Sequence, residues 1–122
     1  MKLSEAMRLG ATLGPHIRGR LFGDGGGTCA MGGALKAMGF LSHDFCFYIR
    51  YNKFLPTTIW PWIIEKRTCP HCGEPLETRA IITVHLNDTH EWSREKIADW
   101  VEEVEPVSES IVESSQVPVA VA

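Results

Sequence analysis

The chain has 122 residues, 44% of them hydrophobic and 22% charged, a composition of globular type that suffices for one domain with a modest core. No apolar run reaches the length of a membrane span, and residues 1–14 alternate charge without a sustained apolar stretch, so the expectation is no membrane partner, no secretory signal and a location in a reducing cytoplasm. The net charge of −3 divides into +3 over residues 1–96 and −6 beyond Lys96, and a body charge of +3 is too small to imply nucleic acid by itself.

Leu3, Ala6, Met7, Gly10 and Ala11 fall at helical spacing, which predicts a first helix over residues 3–13, ended by Gly14-Pro15. Residues 14–27 are glycine-dense ("GDGGGT") and read as a loop; without the lysine of a phosphate-binding loop they make only a weak anion site. Thr28 is the expected N-cap of a second helix, "CAMGGALKAM", with Gly39 closing it. Ser42 is a cap for a third short helix, "HDFCFYIRY", in which Cys46 sits between Phe45 and Phe47 as a core residue. "TTIWPWII" reads as a short helix or an extended apolar segment, and "TCPHCGEP" as a tight turn. "TRAIITVHL" is ambiguous, because its β-branched residues favour a strand. Ser93 caps a last helix in which Ile97, Trp100, Val101 and Val104 fall at i, i+3, i+4 and i+7. Trp60, Trp62, Trp92 and Trp100 are expected to build the core. From Pro106 the sequence is Ser, Val and Glu without a period, so residues 1–105 form one domain and 106–122 an acidic, flexible tail.

The Cys69-Pro70-His71-Cys72 stretch carries the chemistry. It matches the active-site tetrapeptide of strongly oxidising thioredoxin-like proteins, but there the first cysteine opens a long helix after a βαβ pattern. Here Gly73-Glu74-Pro75 follows, which does not continue a helix, and no such pattern precedes it. In a reducing compartment a structural disulfide is also disfavoured. The metal reading is stronger. Twelve residues separate Cys72 from His85 and four more separate His85 from His90, giving C-x2-C-x12-H-x4-H, the ligand spacing of a two-cysteine, two-histidine zinc finger. Two thiolates on a knuckle meet two imidazoles about a helical turn apart, closing a tetrahedron around a structural Zn2+. Leu76 and Ile82 stand at the finger's apolar positions, whereas Arg67 replaces the usual aromatic two before the first cysteine.

In a DNA-reading finger the side chains one, four and seven before the first histidine face the bases. These are Val84, Ile81 and Thr78, two of them aliphatic with nothing to offer a base edge. With Ile82 they make a segment apolar all round, expected to be packed into the domain. The expected fold is therefore mainly α (a small α+β fold being the variant), a single helical domain with an embedded two-Cys/two-His zinc knuckle over residues 69–90.

"GGGTCAMGGALKAMG" and "ITVHLNDTHEWSREKIADWVE" together resemble small uncharacterised proteins of bacteria and their phages. In that group a glycine-rich turn leads to a Cys-Ala-x-Gly helix, and a His-Leu-Asn-Asp segment precedes a Trp-containing helix ending in Ile-Ala-x-Trp. The match covers residues 25–39 and 81–102, about a third of the chain. It implies a phage or bacterial origin and a fold, but no activity.

Three further readings remain open. Cys29, at a helix N-terminus, is a candidate nucleophile with His16 or His43 as base and Asp24 or Asp44 as orienting acid; the alternative is a small core residue. Asn87 and Asp88 are either outer partners of a ligating imidazole or a turn before the Ser93 helix. Arg18, Arg20, Arg50, Lys53, Lys66 and Arg67 are either a basic face or solvated surface. The function expected is a zinc-binding accessory protein that contacts a protein partner, with a nucleic-acid-binding regulator and a Cys29-dependent enzyme as alternatives.

Overall fold

The computed structural model describes residues 1–40 and 55–106. The predicted helix after Ser42, His43, Asp44, Cys46, Arg50, Lys53 and the tail from residue 107 lie outside the described residues. Helix α1 (Leu3–Gly10) buries Leu3, Ala6, Met7 and Gly10, the helical stripe of the sequence, and stops one turn earlier than expected. Its N-terminal amides are closed from the far end of the domain: the Ser4 N–H and hydroxyl both donate to the carboxylate of buried Glu105. A carboxylate is favoured there by the helix dipole as well as by the orphan donors.

Helix α2 (Ala30–Ala37) lies against α1 at backbone contact. A Cβ added at Gly10 would sit 2.0 Å from the Gly33 carbonyl oxygen, so glycine at that crossing lets the two helices touch. The N-cap of α2 is Cys29 rather than Thr28; its sulfur accepts from the Gly32 N–H at 3.3 Å. Thr28 is drawn away by the loop, bridging to His16 on one side and Phe22 on the other. Gly39 closes α2 at φ +93°, as expected of a C-terminal glycine.

The glycine-rich loop forms a 3-10 turn, Asp24–Gly26, with Gly25 and Gly26 at positive φ. The Lys36 ammonium donates to the carbonyls of Gly26 and Leu13, tying the glycine-rich loop and the chain just after α1 to α2.

"TTIWPWII" resolves into α3 (Leu55–Ile59) and a 3-10 turn, Pro61–Ile64, which sends Trp60, Trp62 and Ile63 into the core. Strands β1 (Lys66–Thr68) and β2 (Pro75–Glu77) pair antiparallel, Arg67 opposite Leu76. The chain then enters α4 (Thr78–Ala80), continued by a π-helix, Ile81–Thr89. This settles the ambiguity of "TRAIITVHL" in favour of helix: Ile81, Ile82 and Leu86 are all buried, and the hydrophobic contacts they make override β-propensity. Finally α5 (Arg94–Val104), capped by Ser93 Oγ accepting from the Lys96 N–H, packs Ile97, Ala98 and Val101 against α1. The fold is thus mainly helical with one small two-stranded sheet. Among the described residues no helix is long and apolar enough to cross a membrane.

Arg94 is a buried cation in this core, 7% exposed. Its guanidinium donates to the carbonyls of Ala11, Gly14 and Pro15 and to Thr28 Oγ1, closing the C-terminal end of α1 and pinning the loop to α5.

Candidate metal centre

The turn between β1 and β2 carries both cysteines. The Cys69 N–H donates to the Glu74 carbonyl and the Gly73 N–H to the Cys69 carbonyl, and Gly73 takes φ +85° to close the reversal. Cys69 is buried and Cys72 exposed.

The histidines come from the π-helix, and the winding matters. In an α-helix a residue five positions on points about 140° away from the first. The i→i+5 winding turns more slowly and brings the fifth residue back over the first. The His90 N–H accordingly donates to the His85 carbonyl at 2.7 Å, and the two rings approach to 5.3 Å between centroids. Glu91 at φ 56° then reverses the chain, so that the Trp92 N–H reaches back to the Leu86 carbonyl.

One ligand atom from each of Cys69, Cys72, His85 and His90 lies within 4.8 Å of the others, close enough to hold a metal ion. Cys72 Sγ and His85 Nδ1 are 3.6 Å apart. Zinc–sulfur and zinc–nitrogen bonds at a tetrahedral angle put those two atoms about 3.5–3.6 Å apart. His90 Nε2 is buried and, among the described residues, has no hydrogen-bond partner. A buried imidazole nitrogen left in that state is costly, and a metal bond would satisfy it. Burial first, then the neighbouring His71 and His85, push the His90 pKa down, which favours the neutral form that ligates.

His71 stands beside this group. Its ring stacks on His90 at 4.0 Å, and the Trp92 indole N–H donates to its Nδ1 at 3.1 Å. An indole only donates, so His71 carries its proton on Nε2, and that pair of contacts makes it a wall of the site rather than a ligand. Lys96 covers the outer face of Trp92. Arg67, which takes the place of the expected aromatic, stacks its guanidinium on Trp62 and donates to Thr78 Oγ1. The aromatic surface is thus supplied by Trp62. Neither His71 nor Glu74 (whose carboxylate lies 3.6 Å from His85 Nε2) was singled out by sequence reasoning. The signal available was only their position beside the C-x2-C pair.

Asn87 and Asp88 are not outer partners of the imidazoles. Asn87 is wholly buried; its Oδ1 accepts from the Ala30 N–H and from His16 Nε2, and its Nδ2 donates to the Ile17 carbonyl and Asp88. Asp88 accepts from the Gly19 N–H. Both face the loop of residues 16–19, on the side of the π-helix away from the histidines' contacts. Arg18 joins them, donating to the carbonyls of Asn87 and Glu91. Arg18, which is exposed, and Arg67 both make internal contacts, so each has a structural role whatever charge it presents to solvent.

The Cys29 nucleophile reading loses its footing. Burial pushes the Cys29 thiol up to about 11, outweighing the helix N-terminus whose amides pull it down. Of its two proposed bases His43 lies outside the described residues, and His16 is engaged by Asn87 and is itself lowered by burial. The segment expected to be apolar and buried all round is corrected at one position. Thr78, Ile81 and Ile82 are buried, but Val84 is 53% exposed. It lines a cleft of about 200 Å³ with Leu21, Cys29, Thr83 and Asp88. No protein-family model, curated protein or solved structure matches the chain.

Proposed function

We propose that the chain binds one structural zinc ion through Cys69, Cys72, His85 and His90, and that the metal holds together a small accessory protein whose role is to bind a protein partner. The observation that carries the metal reading is the convergence of two thiols and two imidazoles within 4.8 Å, one imidazole nitrogen being buried without a partner. Two sulfurs and two nitrogens in a tetrahedral set suit zinc, and four protein ligands leave no open position for a substrate or a catalytic water. The site is therefore structural. It joins the turn of a hairpin with three-residue strands, too small to be stable alone, to the end of the π-helix.

A structural zinc contributes on the order of 10 kcal/mol to folding, comparable with the whole net stability of a small domain. Purified protein is expected to contain one zinc per chain, and Cys72→Ser to lose it. Zinc-free protein with native stability, or full retention in the variant, would overturn the reading. The protein-binding role is favoured over DNA reading because Ile81 and Thr78 are buried where a reading finger presents them to bases. Duplex binding with a steep salt dependence would reverse that preference.

A further inference from the structure

We infer that the two imidazoles bind the metal through different nitrogens, His85 through Nδ1 and His90 through Nε2, and that Glu74 is the residue that sets this by holding His85 at its other nitrogen. The inference rests on the zinc reading above. His85 is held from two sides. Its Nδ1 faces Cys72 Sγ at the separation of a tetrahedral edge, and its Nε2 faces Glu74 Oε1 at 3.6 Å. The two nitrogens of an imidazole diverge, so a ring placed in this way offers Nε2 to the metal only by turning over and moving it away from the carboxylate, which lies just beyond hydrogen-bond distance. When Nδ1 is the ligand, the ring proton must sit on Nε2, where the carboxylate is the natural acceptor. The carboxylate fixes the tautomer and raises the basicity of the ligating nitrogen.

His90 has the opposite arrangement. Its Nε2 is the buried, unpartnered nitrogen, and its ring is held by stacking on His71 rather than by an acid. The different anchoring follows from position. His85 lies inside the π-helix opposite the hairpin turn that carries Glu74, whereas His90 is the residue that ends the helix.

Glu74 is exposed, and its backbone carbonyl is what the turn uses, so replacing the side chain leaves the fold intact. Metal content of the purified chain is measured first; absence of zinc overturns the ligand set and this inference with it. On zinc-loaded protein with ¹⁵N-labelled histidine, NMR is expected to show a metal-shifted Nδ1 and a protonated Nε2 for His85, and the reverse for His90. A metal-bound Nε2 on His85 overturns the inference while leaving the zinc reading standing. Glu74→Ala is expected to keep one zinc per chain but to weaken its affinity about 10- to 100-fold in chelator competition. Glu74→Gln, which keeps an acceptor at that place, is expected to recover part of the loss and to keep the His85 ¹⁵N pattern. Parental affinity in Glu74→Ala overturns the role of Glu74.

Discussion

Replacing Ile81 and Val84, one at a time, by arginine separates a packed helix from a nucleic-acid reader. The two residues lie three apart on the π-helix and are chemically alike, but Ile81 is 0% exposed and Val84 53%. Ile81→Arg forfeits the burial of an isoleucine, about 1.5–3 kcal/mol. It also places a guanidinium in a buried position, which adds several kcal/mol unless the charge is paired or snorkels out. A loss of about 4 kcal/mol or more is expected, a value reached only by core defects of this kind. With about 4–8 °C per kcal/mol for a domain of this size, the melting temperature falls by about 15 °C or more. Val84→Arg is expected to stay within about 0.5 kcal/mol, a shift of under about 4 °C, because the side chain already reaches solvent. Thermal melting of both variants beside the zinc-loaded parent reads the difference. Small, equal shifts in the two variants, accompanied by a gain in duplex DNA affinity, would refute the packing argument.

Two further outcomes follow from the core. Arg94→Met removes a buried guanidinium from the carbonyls of Ala11 and Gly14 and from Thr28 Oγ1, and is expected to cost about 2–4 kcal/mol, read as a lower urea midpoint with an unchanged slope; an unmoved midpoint would refute it. Cys29 is expected to resist alkylation at neutral pH in the folded protein and to react only as the pH nears about 11. The unfolded chain ionises this thiol at lower pH than the native one, so the native state retains the proton longer and stability falls with rising pH between the two values. Fast labelling of Cys29 at pH 7.5 would restore the nucleophile reading.

How far these features were legible in the sequence depends on how local their causes are. The Ser93 cap and the Ile97/Val101 stripe are written in consecutive residues, and α5 has the expected register. The C-x2-C-x12-H-x4-H spacing was likewise enough to name the four side chains that converge. The segment from Thr78 to Thr89 is ambiguous in the sequence because its β-branched residues carry a strand preference that only burial against α2 and α5 overrules. The π-winding had a trace in the sequence, five positions between two histidines that must face one point, but the trace is meaningful only once the segment is known to be helical. Asn87 reads locally as either a partner of the adjacent histidines or a turn residue; its long-range partners, His16, Ile17 and Ala30, lie 57 or more positions away in the sequence. Nothing local announces them. Arg67 looked like a missing aromatic, and the compensating ring, Trp62, is supplied from the preceding 3-10 turn.

The winding of the π-helix ties the metal centre to the rest of the domain more tightly than four ligands alone would. His85 and His90 face the hairpin turn, while Asn87, between them in sequence, faces the loop of residues 16–19 and the first amide of α2. In a regular α-helix His85 and His90 would point about 140° apart, and the slower winding brings the two directions closer together. The i→i+5 turns satisfy both histidines and leave Asn87 on the opposite side, where its amide joins three separate segments of chain. The bonds that shape the metal site and those that hold the loop are therefore two sides of one unusual helix. A wider helix has weaker internal packing and persists only where its surroundings over-determine it. Here the surroundings are the four converging ligands on one side and the buried amide of Asn87 on the other. Removing the metal would relax the requirement that keeps His85 and His90 together, and the helix would be free to rewind. Rewinding would turn Asn87 out of its contacts with His16, Ile17 and Ala30. On the zinc reading proposed above, an ion held by His85 and His90 would thus bear on the loop and on the start of α2, neither of which it would touch, and would act as a staple for more than the hairpin alone.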